Sequence, residues 1–225
     1  MNLPAKSDFI NFHDHGSLTR EGIFSIDNIM VHEGRTPSDE KGIAHSVGAH
    51  PWFLNDDNFE RNLLMVRDMS VLNNVVAIGE TGFDKLKGPD QKLQQKAFER
   101  HFEIAEELQK PLIIHCVKAW PEIIEAKKNL KPTTPWVIHG FKGKKELAQQ
   151  LCDKDFYLSA WVEWAIRPVS SETLNSMPIE RLFLETDGFD ISIEPVYTVV
   201  AGYLGISVDK LKTQIYNNFM GVFQK

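Results

Sequence analysis

From residue 43 to the C-terminus, short β-branched or aliphatic runs alternate with longer segments of helical period, and this alternation restricts the fold more than any other feature of the chain. Runs of β type closed by turn residues fall at 8–12, 24–31, 43–48, 75–79, 112–115, 136–139, 156–158 and 181–184. The clearest helical stretch is 90–109, where Leu93, Ala97, Phe98, Phe102, Ala105 and Leu108 recur mostly at three- to four-residue steps. Asp90 is a natural cap for it and Pro111 stops it. Further helices are expected at 58–72, 121–130, 144–152, 171–177, 195–204 and 208–223. Strands separated by helices join as a parallel sheet with crossover helices. Eight such units in 225 residues predict an α/β fold, a TIM-type (β/α)8 barrel.

The start of the chain fits less cleanly. Segments 16–22 and 32–42 are too short or too rich in turn residues for a packed crossover helix, which needs at least about 10 to 12 residues in the whole connection. The first βα units are therefore trimmed. Residues 24–31 are either a parallel barrel strand that has lost its helices, the reading favoured here, or an antiparallel hairpin partner that leaves seven parallel strands. With 42% apolar and 25% charged residues the chain can bury a sizeable core. No repeat, low-complexity tract or charge block marks an internal boundary, so 1–225 reads as a single domain.

The formal charge of −6 excludes bulk attraction to nucleic acid, so a phosphate-bearing substrate must be held by local features. Cys116 and Cys152 form no CxxC pattern, which excludes a disulfide framework or a thiolate zinc finger and leaves two plain buried thiols. The opening MNLPAKSDF lacks the regions of a secretory signal, and no apolar run approaches the roughly 20 residues of a membrane span, so a cytoplasmic protein is expected.

Chemistry concentrates at the ends of the β-type runs. His13 and His15, Glu80, His115, His139 and Asp187 all lie there. Imidazoles and carboxylates are good ligands for divalent cations, and delivered one or two per strand they could hold two ions at one end of a parallel barrel. A His-x-His taken alone is more often a surface or core pair, and a lone histidine after an apolar strand is ordinarily a satisfied core residue. Recurrence at the same relative place on successive strands is what shifts the balance to a metal site. Glu80 follows Val-Val-Ala-Ile-Gly and is read at a strand's C-terminal end, where its two oxygens could touch two ions. Glu185 and Asp187 in LETD are read as an acid pair on one strand face, which needs a cation or a shared proton.

Taken together, NFHDHG, VGAHPW, AIGETGFDK, LIIHC, VIHGFKG and LFLETDGF resemble the motifs of the TatD family of metal-dependent deoxyribonucleases, within the amidohydrolase-like barrel superfamily. The resemblance runs from about Phe12 to NNFMGVF, with six motifs in the family's order. It implies two divalent metal ions, with His13, His15 and Asp187 on one, His115 and His139 on the other, and Glu80 as the bridge. Zinc, magnesium, manganese, nickel and iron all suit such donors. Asp187 and Glu80 are the implied catalytic residues, with Asp187 as base and Glu185 behind the ligands. His50 and Lys118 are the candidate substrate contacts. His32, His45 and His101 are read as structural or surface residues. Trp52, Trp120, Trp161 and Trp164 are expected on loops beyond strand ends, where core packing or loop anchoring is the ordinary use and base stacking the functional one.

The chain also departs from the family pattern. Val117 stands where an arginine is usual, and the segment after Asp187 runs GFDISIEPVY instead of Ala-Pro and a longer loop. The expected activity is phosphodiester cleavage in DNA. The alternative is hydrolysis of a small carboxylic ester, lactone or amide at the same metal centre. The expected partner is DNA or such a small molecule, with no membrane, and the chain is expected to be a monomer or weak homo-oligomer.

Overall fold

In the computed structural model, which describes residues 3–224, the elements follow the expected alternation. They are β1 (Phe9–Asp14), β2 (Ile23–Met30), β3 (Ile43–Gly48), α1 (Phe59–Ser70), β4 (Val75–Asp84), α2 (Gln91–Leu108), β5 (Leu112–Val117) and α3 (Trp120–Leu130). Then come β6 (Trp136–Phe141), α4 (Lys145–Cys152), β7 (Phe156–Trp161), α5 (Val162–Ala165), α6 (Ser171–Ser176), β8 (Leu182–Glu185), α7 (Ile193–Leu204) and α8 (Val208–Phe223). The strands form one eight-stranded sheet in chain order. The pairings β1–β2, β3–β4, β4–β5 and β7–β8 are parallel. This is the strand order of a (β/α)8 barrel.

The two readings of residues 24–31 are decided by β2, which pairs in parallel with β1, Phe9 opposite Ile23 and Ile10 opposite Phe24. The sheet therefore has eight strands and not seven. Trimming at the start holds: β1, β2 and β3 follow one another with only the 3-10 turn Val31–Glu33 between them. Most strands run beyond their apolar stretch at the C-terminal end. β4 is the clearest case: it continues through ETGFD to pair Thr81 with Ile114 and Asp84 with Val117, after a register irregularity beyond Ile78. Glu80 therefore lies within β4 and not at its end. The short helix α5 was not expected, because four residues carry no helical period.

The chain divides into two compact units, one of residues 28–39 and 45–137, the other of 3–27, 40–44 and 138–224. In the first, α2 lays its apolar face on the sheet, and Phe98 meets Phe83 and Trp136 with ring centroids 5.2 Å apart in each pair. Asp90 caps α2 as expected, its carboxylate accepting from the backbone N–H of Lys92 and Leu93. His101 on this helix is wholly buried. It donates from Nδ1 to the Ala97 carbonyl at 2.7 Å and accepts the Ala49 N–H on Nε2 at 3.0 Å. One ring thus ties α2 to the residue before His50.

In the second unit α8 covers β1 and β2 through Phe223 on Phe12 and Phe219 on Phe24. Phe9 turns its N–H toward β2, to the Gly22 carbonyl, so the Ile10 backbone groups face the other way, toward β8. There the buried Tyr197 hydroxyl of α7 accepts the Ile10 N–H at 3.1 Å and donates to the Ile10 carbonyl at 3.0 Å. Asn11 adds two bonds to Thr186, accepting its N–H at 2.9 Å and donating to its hydroxyl at 2.7 Å. The β1–β8 seam is thus joined in part by side chains. Burial raises the Tyr197 hydroxyl pKa well above that of a free phenol. It likewise pushes the thiols up, Cys116 to about 12 and Cys152 to about 11, which makes both poor nucleophiles at neutral pH.

Tyr197→Phe leaves a buried N–H and a buried C=O without this partner, and we expect it to lower unfolding stability by about 2–4 kcal/mol in denaturant titrations. His101 supplies a pH-dependent prediction. Burial lowers its pKa from 6.5 to about 4, so the folded chain prefers the neutral ring. Its contribution is complete above pH 6.5 and is lost as the pH falls toward 4. Unfolding free energy should drop by about 3 kcal/mol from this group across that window. His101→Gln should remove that part of the pH slope.

Candidate metal-binding site

Two sets of donors assemble, one in each unit. In the first unit Glu80 is 3% exposed and its Oε1 is shared by two imidazoles, His115 Nδ1 at 2.8 Å and His50 Nε2 at 3.1 Å. Asn28 fixes the carboxylate from behind. Its Oδ1 accepts the Glu80 N–H at 3.0 Å and the Ser46 hydroxyl at 2.9 Å, and its amide reaches Glu80 Oε2 at 3.5 Å. His50 Nδ1 accepts the Trp52 N–H at 3.1 Å, which leaves the Nε2 proton for Glu80 in the neutral ring.

Asp84 is a participant that the sequence reading missed. Its Oδ2 lies 3.2 Å from His115 Nε2 and accepts the Trp52 indole N–H at 2.6 Å. Its Oδ1 accepts the N–H groups of Leu86 and Lys87 at 2.7 and 3.0 Å. Burial raises its pKa, but these hydrogen bonds prevail, so the net shift is downward and the carboxylate is held ionised. A carboxylate on each ring nitrogen of His115 leaves one nitrogen for a cation while the other donates, the usual way a ligating imidazole is oriented. The available signal was the D of ETGFD, hidden because strand β4 was expected to stop at Gly79.

In the second unit His13 Nε2 and His15 Nε2 stand 3.7 and 3.5 Å from the same Asp187 oxygen, and the ring centroids of His13 and His139 are 4.2 Å apart. His139 Nδ1 lies 3.6 Å from Glu185 Oε1, which also accepts the Gly140 N–H at 2.5 Å. Asp187 does not share the strand with Glu185 as expected. It lies past the end of β8 with φ 53°, in the left-handed region that Asp tolerates. Asp14, between the two histidines of the first motif, holds that turn. Its Oδ1 accepts the Thr186 hydroxyl and the Gly188 N–H, each at 3.0 Å, while the Asp187 N–H bonds to the His13 carbonyl at 3.0 Å. This role of Asp14 was also unread in the sequence.

His13, His15 and Asp187 can each bring one donor atom within 4.8 Å of the others, and so can His139, Glu185 and Asp187, and His50, Glu80 and His115. Whether a divalent cation suits these residues is answered by Glu185. It is wholly buried, and its Oε2 has no hydrogen-bond partner among the described residues. A buried carboxylate oxygen beside imidazoles calls for a positive partner, and the mixed nitrogen and oxygen set fits a divalent ion.

The remaining expected residues fall as follows. Lys118 is exposed on the turn after β5 with φ 57°. Trp120 begins α3, Trp161 ends β7, Trp164 lies in α5 with its ring 5.7 Å from Phe141, and Trp52 lies in the 3-10 turn Pro51–Phe53. His45 accepts the Ser38 N–H and is structural, as read. No described helix is long and apolar enough to cross a membrane.

The family model described as TatD related DNase matches residues 34–224, so the HDH motif precedes the matched span. YcfH of Escherichia coli K12, described as an uncharacterized metal-dependent hydrolase, is 30% identical over 198 residues, covering 80% of this chain and 74% of its own length. The TatD protein of Citrobacter koseri, a 3'-5' ssDNA/RNA exonuclease, is 34% identical over 121 residues, covering 51% and 46%. Among solved structures, the Escherichia coli K12 TatD homologue YJJV superimposes with a TM-score of 0.79 at 19% identity, covering 98% of this chain and all of its own, which supports the barrel fold. The fold and the donor set are those of a metal-dependent hydrolase. The chain belongs to the TatD family.

Gly82 packs β4 against β5 at His115. Its φ is 149°, and an added Cβ would stand 2.0 Å from the His115 carbonyl oxygen. Gly82→Ala is therefore expected to destabilise the protein by about 1–3 kcal/mol and to lower the divalent metal retained after dialysis, read by elemental analysis.

Proposed function

We propose that this chain is a metal-dependent phosphodiesterase acting on DNA, with two divalent ions and residues 1–225 working as one catalytic domain. The observation that carries the reading is the pair of donor sets, His50, Glu80 and His115, all buried, in one unit, and His13, His139 and Glu185, buried, with the half-buried His15 and Asp187 in the other. Kinship with a named ssDNA/RNA exonuclease supports nucleic acid as the substrate class. We assign His13, His15, Asp187, His139, His115 and Glu80 as the residues that would hold the metal.

Bound divalent ions supply a water of lowered pKa and a Lewis acid for the phosphoryl oxygen. The protein's own part begins with Asp187. Its side chain is 26% exposed and so reaches solvent, while the Asp14 bonds hold its turn. It accepts the proton of the attacking water. Glu185, fixed by the Gly140 N–H, keeps His139 oriented. Asp84 does the same for His115. His50 has its ring nitrogens engaged by Trp52 and Glu80, so we assign it to holding Glu80 in place, and Lys118 to the substrate phosphate.

The test uses metal-stripped protein refilled separately with magnesium, manganese or zinc and offered single- and double-stranded DNA. Cleavage should require metal and fail in Glu80→Ala. Asp187→Asn should lose about two to four orders of magnitude in turnover with its circular dichroism unchanged. Full activity of Asp187→Asn overturns the base assignment. Failure of the metal-bound protein to cut either DNA overturns the nuclease reading in favour of a small ester, lactone or amide.

A further inference from the structure

Three side chains of the second unit have no part in the chemistry above. They stand where β6, β7 and β8 end, the same strand ends that supply His139, Glu185 and Asp187. Trp161 is the last residue of β7 and lies opposite Glu185 in the β7–β8 register. Phe189, two residues beyond Asp187, leaves 43% of its surface in solvent, and its ring meets Trp161 at 5.6 Å and 79°. Lys142, three residues beyond His139, is exposed and holds its Nζ 4.1 Å from the centre of the Trp161 ring. Phe189 also lines a cleft of about 230 Å³ that reaches His15 and includes Arg20 and Ser192.

An aromatic ring left open to water and buttressed edge to face by a tryptophan whose own ring carries a lysine cation matches the two parts of a nucleotide. A base stacks on a π-face, and a lysine neutralises its phosphate. We propose that Phe189, Trp161 and Lys142 form a nucleotide-stacking subsite for single-stranded DNA, with one base on Phe189 and the adjoining phosphate on Lys142. A duplex keeps its bases stacked on each other and cannot use this ring, so the subsite selects single strands. The proposal rests on the nuclease reading given above and names the residues that hold its substrate.

The test is the affinity of a fluorescein-labelled oligothymidylate for the full chain in EDTA, read by anisotropy, where no cleavage interferes. Phe189→Leu keeps an apolar side chain but removes the π-face, and should weaken binding about 5- to 100-fold. Phe189→Trp should restore it. Lys142→Gln should reduce the slope of log affinity against log salt by about 0.7, the share of one phosphate on a single strand. Binding of a blunt duplex should be the same in all variants. Wild-type affinity in Phe189→Leu, or an unchanged salt slope in Lys142→Gln, overturns the subsite. DNA cleavage by the metal-loaded wild type is followed in parallel: intact cleavage alongside unaltered Phe189→Leu binding removes the subsite alone, whereas no cleavage removes the reading beneath it.

Discussion

Carboxylates buried among imidazoles set the conditions that the surrounding residues must meet. Glu80 is 3% exposed and Glu185 not at all, and an ionised carboxylate removed from water is costly unless every oxygen is answered. For Glu80 the answers come from fixed places, the Asn28 amide on Oε2 and two imidazoles on Oε1; for Glu185 the Gly140 N–H and, at 3.6 Å, His139 face Oε1, and Oε2 is the oxygen left for a cation. Each partner sits on a strand or directly after one, where the ladder limits its movement. Donors held this way meet a cation already oriented, so little side-chain freedom is lost when one binds.

The shortened start of the chain has a structural counterpart. With no helix between β1 and β2 or between β2 and β3, polar side chains take on work that crossover helices and ladders do elsewhere. Asp27 accepts the N–H groups of Gly16 and Ser17, Asn11 binds Thr186, and Tyr197 satisfies the Ile10 backbone. Asp14 joins the same arrangement and fixes the turn that presents Asp187. In the second unit the joining of the sheet and the placement of a catalytic candidate therefore share one hydrogen-bond network, and a change that loosens the seam should be felt at Asp187.

Much of this could be read from sequence because metal donors are chemically rare residue types. Histidine or glutamate after Val-Val-Ala-Ile-Gly or Leu-Ile-Ile stands out against the aliphatic strand that precedes it. Among the described residues, the alternation of periods gave all eight strands and seven of the eight α-helices. What escaped has a common cause: apolar periodicity ends before the strand does. Gly79 and Gly82 interrupt the pattern in β4, yet the ladder continues to Asp84, so a carboxylate beside His115 looked like loop. Asp14 was overshadowed by the histidines on either side. Asp187 was placed on a strand because no local rule signals a left-handed aspartate.

A chain of net charge −6 gains nothing from long-range attraction to DNA. On the nuclease reading its grip must come from a few short-range contacts, and these have to overcome repulsion from its own carboxylates. Stacking suits that situation better than charge does. It is scarcely screened by salt, it does not add to the acid–cation balance near the donors, and it distinguishes an unstacked base from a paired one without reading sequence. A change in the segment after Asp187 can then leave the chemistry intact, because Phe189 lies just beyond a turn already fixed by Asp14 and can change which substrates are held while the donors stay where they are.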